Sequence, residues 1–118
     1  MPHDEGEVRW VNRTPHQINL YGPENGPDRD RIILTIPRYG AALRATTTVV
    51  RGVMYMRRVS GRPSTMAGGD ARVIVSLPYA MACNSNGVLW VPYDEVRNRA
   101  GGIIGCRQLV QFAWGNPL

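Results

Sequence analysis

Short apolar runs recur along the chain and are separated by clusters of Gly, Pro and Asn. Two of the runs, Arg31–Ile36 and Val53–Arg57, alternate apolar and polar positions with the two-residue period of a strand. Runs of this length that are rich in Val, Ile, Thr and Tyr predict strands. The predicted strands are Val8–Asn12, Gln17–Tyr21, Arg31–Ile36, Ala42–Val50, Val53–Val59, Arg72–Ser76, Val88–Val91 and Ile103–Phe112.

Two segments break the strand pattern. Ser76–Cys83 combines an N-cap residue, a proline in the first turn and helix formers, so it predicts a short helix. A second helical turn is expected at Pro92–Val96, and Asn98–Gly102 predicts the turn of a hairpin. The expected fold class is therefore α+β: a β-rich small domain with an antiparallel sheet and one or two short helices.

The chain has 118 residues, which is the length of one domain, so residues 1–118 are expected to form a single domain. Residues 1–7 are expected to be a flexible N-terminus, and residues 60–71 a mobile loop. A core of this size does not enclose a large cavity. A deep pocket is more readily built between subunits, so we expect a homo-oligomer.

Composition predicts the cellular setting. The chain has no apolar stretch near the roughly 20 residues that span a bilayer, and residues 1–7 do not resemble a secretory signal. We therefore expect a cytoplasmic protein with no membrane partner. Cys83 and Cys106 fit a reducing compartment, and without CxxC spacing they predict no metal site. No cofactor is expected.

Charge is distributed unevenly, and all 14 basic residues are arginine. Residues 1–30 hold three arginines and six carboxylates, a net charge of −3, whereas residues 31–118 hold eleven arginines and three carboxylates, a net charge of +8. A guanidinium donates two hydrogen bonds to one phosphate group. The cationic part of the chain therefore predicts a small phosphate-bearing ligand.

Catalytic groups are scarce. The chain has two histidines, His3 and His16, and its adjacent acids Asp94 and Glu95 are more typical of a helix N-terminal turn than of an acid–base pair. Because the chain has no lysine, a Walker A loop in its usual form is excluded. We predict no catalytic residue, and a protein that is not an enzyme.

Candidate ligand contacts are arginines and aromatic residues, with His16 beside them. Among the arginines, Arg44 lies between small residues, Arg97 follows the expected turn at Pro92–Val96, and Arg107 follows Cys106. Any one of them is alternatively a solvated surface charge. Trp10, Tyr79 and Tyr93 are candidates to stack on a base, with core or interface packing as the alternative.

Four segments, in order, resemble a family of short phage and prophage proteins that opens with the pattern N-L-T-P-H. The segments are Asn12–His16 with Ile18–Leu20, Pro37–Gly40 with Ala42 and Arg44, Val73–Ser76, and Arg97–Asn98 with Gly102–Cys106. The resemblance covers residues 8–106. Arg13 stands where the family has leucine, and Asn98 where it has aspartate.

This family is similar to the phage Thoeris anti-defence sponges. The resemblance implies a protein of the host cell cytoplasm that sequesters cyclic ADP-ribose isomers or cyclic oligonucleotides, the latter being CBASS-type signals, without cleaving them. It also implies assembly as dimers or hexamers, with Arg44 and Arg97 as phosphate ligands and Asn98 beside the ligand.

Two other functions fit the sequence. One is a basic nucleic-acid-binding module, for which the +8 segment would be the electrostatic footprint, although no RNP-type or helix-turn-helix pattern accompanies it. The other is a phage structural or partner-blocking protein that acts through its surface alone.

Overall fold

A computed structural model describes residues 3–5, 8–58, 71–83 and 89–115. Its elements, in chain order, are β1 (His3–Glu5), β2 (Val8–Asn12), β3 (Ile18–Tyr21), β4 (Ile32–Ile36), β5 (Ala45–Val50), β6 (Val53–Arg58), β7 (Ala71–Ile74), α1 (Leu77–Cys83), β8 (Trp90–Arg97) and β9 (Ile103–Gln111). The domain is β-rich with one short helix among these residues, which confirms the general fold expectation.

The main sheet is mixed, so the prediction of an antiparallel sheet was wrong in part. Within the described residues, seven strands pair in the order β1-β2-β7-β8-β9-β3-β4. The β2–β7, β7–β8 and β3–β9 pairs are parallel, and the other three pairs are antiparallel. Parallel neighbours need a crossover, and α1 supplies the crossover between β7 and β8. Turn residues in a sequence identify hairpins, whose strands pair antiparallel, but they do not identify parallel pairs.

The predicted helix at Ser76–Cys83 is confirmed as α1. Ser76 is its N-cap, because the Ser76 carbonyl accepts the first helical bond, from the amide of Ala80 at 3.1 Å. The second helical turn, expected at Pro92–Val96, was wrong because that segment lies in β8. Among the described residues, β7 pairs with β8 only at Trp90 and no strand pairs with this edge of β8 at Pro92, where a residue without an amide N–H is tolerated.

The chain termini and two loops are only partly described. His3–Glu5 of the expected flexible N-terminus pairs with β2 as strand β1. Of the expected mobile loop at residues 60–71, Ala71 begins β7 and the rest lies outside the described residues. The hairpin turn predicted at Asn98–Gly102 is confirmed, since it joins the antiparallel strands β8 and β9.

The strands β2 and β7 place buried residues on both faces of the sheet, whereas β8 is buried only near its start, at Val91. Successive residues of a strand point to opposite sides of the sheet, and Trp10 and Val11 of β2 accordingly enter two different cores. One core lies on the α1 side of the sheet and comprises Val11, Leu43, Val73, Val75, Tyr79, Ala80, Leu89 and Val91. The other, on the opposite side, comprises Trp10, Ile18, Ile36, Ile74 and Cys106.

The second core is enclosed because the sheet curls on itself. A parallel bridge joins Asn12, at the end of β2, to Arg38, just after β4. The Tyr39 amide also donates to the Asn12 carbonyl at 2.8 Å. The last strand in the sheet order is thereby brought back to the second one, which shields the apolar interior from water.

Strands β5 and β6 form a separate two-stranded sheet, here called the arm (Ala45–Arg58). Its strands pair in register from Ala45 and Arg58 at the base to Val50 and Val53 at the tip. Arg51 and Gly52 form the connecting turn with φ of 51° and 78°. Positive φ at both positions is typical of a type I′ turn, whose twist matches that of the flanking strands.

Candidate functional site

A groove of about 1300 Å³ lies between two walls of different origin. The first wall comprises the loop after β2, the start of β3 and the start of α1. The second wall is the β8–β9 hairpin. The groove is lined by Thr14, Pro15, His16, Gln17, Ile18, Asn19, Ser76, Leu77 and Pro78 from the first wall and Pro92, Tyr93, Asp94, Glu95, Arg97, Ile103, Ile104, Gly105 and Cys106 from the second.

The first wall is held by Asn12, which is buried at the end of β2. Its Nδ2 donates to the carbonyls of His16 at 2.9 Å and Ile36 at 3.1 Å. Its Oδ1 accepts from the amide of Thr14 at 2.9 Å and lies 2.6 Å from the Thr14 hydroxyl. One amide side chain thus satisfies several buried backbone groups, which fixes the path of the loop that carries His16.

The second wall is a hairpin whose turn is closed by Asn98. The Asn98 amide donates to the Gly102 carbonyl, and its side-chain Oδ1 accepts from the Gly102 amide, both at 2.9 Å. Behind the turn, a Cβ added to Gly105 would collide with the carbonyl oxygen of Asn19 and the ring of Tyr21. Glycine at 105 therefore lets β9 lie against β3 and joins the two walls.

Asp94 projects into the groove from an unusual backbone conformation. Its φ is 62° within strand β8, a left-handed value that a non-glycine residue adopts at a cost of about 1–2 kcal/mol. Aspartate is among the residues that tolerate this conformation best. Strain of this kind tends to occur at sites where a side chain must be aimed, so we treat Asp94 as part of the candidate site.

The groove carries both signs of charge. Among the described residues, its charged side chains are those of Asp94, Glu95 and Arg97, and the His16 imidazole lies on the opposite wall. The Arg97 guanidinium donates to Glu95 Oε2 at 2.8 Å and to the Gly101 carbonyl at 2.7 Å. Both members of the ion pair are about half exposed, and such pairs contribute about 0–1 kcal/mol. Arg97 can therefore exchange Glu95 for another anion at little cost.

Three of the residues predicted from sequence line this groove: His16, Tyr93 and Arg97. Tyr93 is 61% exposed, so its ring faces are accessible. His16 is held through its backbone, which leaves its imidazole at the surface of the first wall. An exposed ring, an imidazole and a guanidinium thus come from separate segments of the chain to one groove.

Three other predicted residues lie outside the lining. Arg44 is exposed just before β5, at the base of the arm. Asn98 closes the hairpin turn. Arg107 uses Nη1 to donate to the carbonyls of Gly22 at 2.7 Å and Arg29 at 2.6 Å, and so anchors the loop between β3 and β4.

Trp10 and Tyr79, predicted as candidates for base stacking, are packed in the protein interior. Tyr79 has no exposed surface and Trp10 is 8% exposed. The Trp10 ring meets the Trp90 ring edge-on at 5.2 Å, and the Arg72 guanidinium lies over both, 5.4 Å from Trp10 and 4.6 Å from Trp90. These residues contribute to the cores through apolar burial and cation–π contact.

The lining offers binding groups rather than an assembled nucleophile. Among the described residues, the His16 imidazole makes no hydrogen bond to Ser76 or Asp94, and no cluster of three His, Cys, Asp or Glu side chains is placed to hold a metal ion. Burial raises the pKa of the Cys106 thiol, and the charge of Asp94 adds to that rise, so the thiolate is disfavoured.

Several lining residues were not predicted from sequence. Asp94 and Glu95 were assigned to a helical turn because Pro92 precedes them, and Ser76 was interpreted only as a helix cap. Gln17 and Asn19 carried no signal beyond their places in a predicted strand. The usable clue was the segment Asn12–His16, since a run of cap-forming and turn-forming residues between two strands marks a structured loop.

Comparison of the chain with family models, with curated proteins and with solved structures finds no match. In the described ranges, no helix is long and apolar enough to cross a membrane.

Proposed function

We propose that the groove binds a small phosphate-bearing nucleotide signal, a cyclic ADP-ribose isomer or a cyclic oligonucleotide, and sequesters it without cleavage as a phage anti-defence sponge. The observation that supports this proposal is the convergence of separate segments of the sponge-like pattern. Asn12–His16, Val73–Ser76, Arg97 and Gly102–Cys106 each contribute residues to the groove lining.

Arg97 is the proposed phosphate ligand. Its Nη2 donates one hydrogen bond to Glu95 Oε2, and a phosphate would replace that carboxylate as the acceptor. Hydrogen bonds to a charged group contribute about 1.5–3 kcal/mol. The exposed ion pair that the phosphate displaces contributes only about 0–1 kcal/mol, so its loss costs little.

Tyr93 is the proposed stacking partner for the base. It lies on the same strand as Arg97, and its ring is largely exposed at the groove. Stacking of a base on an aromatic side chain contributes about 1–3 kcal/mol. His16 and Ser76, on the facing wall, supply hydrogen-bonding groups toward a ribose or a second phosphate.

Arg44 enters this proposal only through a subunit interface. It lies outside the groove lining of its own chain, so it can reach a ligand only if a second copy presents it. The protein would then act in the host cell cytoplasm as a homo-oligomer, a dimer or a hexamer.

The test is isothermal titration of the purified full-length protein with a cyclic ADP-ribose isomer and with a cyclic dinucleotide. We expect Arg97→Ala to weaken binding by roughly 10-fold or more, because it removes the charged donors. Arg99→Ala is the matched control, since Arg99 is exposed in the adjacent turn but does not line the groove. Equal affinity of the two variants would refute the proposed role of Arg97.

The +8 segment also supports a second candidate, a basic nucleic-acid-binding module. Arg97 is the one arginine among the described lining residues, so the groove offers few cations to an extended phosphate backbone, and nucleic acid would bind elsewhere on the surface. A duplex affinity that falls steeply with salt, in a protein with no affinity for small nucleotides, would favour this candidate.

A further inference from the structure

The arm exposes an unusual amount of apolar surface. Its five apolar side chains nearest the tip are each about half exposed or more, between 49% and 64% of their area. They are Val49, Val50, Val53, Met54 and Tyr55. Together they expose on the order of 500 Å², as much as the largest patch on a typical monomer. A two-stranded hairpin is also marginally stable alone, so a covering surface would stabilise it.

The arm tip carries a cation in an unfavourable backbone position. Arg51 has φ 51°, in the region where a type I′ turn favours Asn, Asp or Gly. Its side chain is exposed beyond the last strand pair, Val50 with Val53. Arg51 gives the tip a positive charge, and apolar side chains lie directly behind it, so a partner surface with both carboxylates and apolar side chains is complementary to the tip.

The groove has the complementary surface. The carboxylates of Asp94 and Glu95 are exposed within it. Beside them are three exposed apolar side chains, those of Tyr93, Ile103 and Ile104. The groove volume of about 1300 Å³ also exceeds the roughly 300–1,000 Å³ of a typical small-molecule pocket. Space therefore remains for a protein segment at the hairpin wall.

We propose that the tip of the arm of one copy inserts into the groove of a second copy, and that the second arm does the same in return. Arg51 of each tip then pairs with Asp94 or Glu95 of the other copy, and the apolar tip covers Ile103 and Ile104. Reciprocal insertion generates a closed two-fold dimer.

The area is sufficient for such a dimer. If each contact is limited by the smaller surface of the groove, two reciprocal contacts bury on the order of 1,200 Å², the lower end of the range for specific interfaces. The inserted arm also gives the groove a third wall and releases Arg97 when Arg51 takes Glu95. This assembly rests on the groove of the proposed function but needs no ligand, so the two can fail separately.

The test is analytical ultracentrifugation of the ligand-free, full-length protein with a charge exchange. We expect a wild-type dimer, and a dissociation constant at least about 10-fold higher for Arg51→Glu and for Glu95→Arg alone, because each places like charges at the contact. An equimolar mixture of the two variants should recover a dimer, since each arm then meets a groove of opposite charge.

Arg38→Glu is the matched control, because Arg38 is exposed and lies outside the arm and the groove. It should dimerise like the wild type. A wild-type monomer, a dimer that is insensitive to Arg51→Glu, or a mixture that stays monomeric would each overturn the inference. Circular dichroism of every variant separates loss of assembly from loss of fold.

Discussion

The loop Asn12–His16 and the tip of the arm are both short connections after a strand, but they are stabilised in opposite ways. In the loop, buried hydrogen bonds from Asn12 satisfy the backbone on both sides of the turn. In the arm, the turn Arg51–Gly52 lies beyond apolar side chains that remain largely exposed. Asn12 and Thr14 of the loop are buried polar residues, whereas the apolar residues beside the turn of the arm are exposed.

The loop therefore constrains the structure of the monomer, whereas the tip of the arm is a surface that a partner can cover. The buried Asn12 amide, with its hydrogen bonds made, fixes one conformation of the loop that forms the first wall of the groove. Exposed valine and methionine side chains contribute little to the fold of a single chain, and their free energy of burial is available to a partner. Substitutions in the two regions should therefore affect different properties.

The largest expected effect is that of Asn12→Ala. It removes the donor to the Ile36 carbonyl, the acceptor of the Thr14 amide and one of the two donors to the His16 carbonyl, so we expect a loss of about 3 kcal/mol in the free energy of unfolding. That corresponds to a fall of roughly 10 °C or more in Tm, measurable by calorimetry. Asn25→Ala, in the exposed loop before β4, is the control and should change Tm little. Similar shifts for both would contradict the assigned role of Asn12.

A smaller effect is expected for Arg107→Met, which keeps the aliphatic stem but removes the donors to Gly22 and Arg29. We expect a loss of about 2 kcal/mol by chemical denaturation, because these are hydrogen bonds from a charged group. Nucleotide affinity should remain within twofold of wild type, since Arg107 is not in the groove lining. A loss of nucleotide affinity without a loss of stability would instead indicate that Arg107 contacts the ligand.

A valine-to-threonine substitution should have a small effect on stability in the arm and a larger effect in the core. Val49→Thr should change the unfolding free energy of the dilute, monomeric chain by less than about 0.5 kcal/mol, because Val49 is 64% exposed. Val75→Thr buries a hydroxyl where the side chain is fully enclosed, so it should cost about 1–3 kcal/mol. If urea denaturation gives equal losses, the arm is packed within the monomer and the comparison fails.

The smallest effect concerns the two thiols. At pH 8, a thiol reagent should modify Cys83, which is partly exposed, well before the buried Cys106, whose raised pKa keeps it protonated. Because the unfolded chain loses this proton first, Cys106 should also lower stability as pH rises above its ordinary pKa of 9.0. Mass spectrometry of labelled peptides gives the order, and Cys106→Ala provides the baseline. Faster labelling of Cys106 would contradict its burial.

Local elements of the fold were predictable, and long-range pairings were not. The arm strands, helix α1 and the turn Asn98–Gly102 are specified by residues close in sequence: alternation, an N-cap with proline, and a glycine-rich turn. The parallel pairs β2–β7 and β3–β9 join segments that lie far apart in the chain, so no local signal identifies them. Pro92 misled the helix prediction because an open sheet edge accommodates proline as well as a helix start does.

The site was predictable only where a residue's chemistry and its exposure agree. His16, Tyr93 and Arg97 were selected for their side chains and do line the groove. Arg107 was selected for the same charge, but two backbone carbonyls bind it, and Trp10 was selected for its ring, which the sheet buries. Residue type reveals what a side chain can bind, whereas the fold decides whether a ligand can reach it.

The most direct test of the proposed function is recovery of the ligand. The protein is incubated with a cyclic ADP-ribose isomer or a cyclic dinucleotide, freed of unbound nucleotide and heat-denatured, and the supernatant is analysed by mass spectrometry. We predict that wild-type protein and Arg99→Ala release the intact nucleotide, and that Arg97→Ala releases far less. Release of a hydrolysed or rearranged nucleotide, or of none from the wild type, would contradict sequestration in the groove.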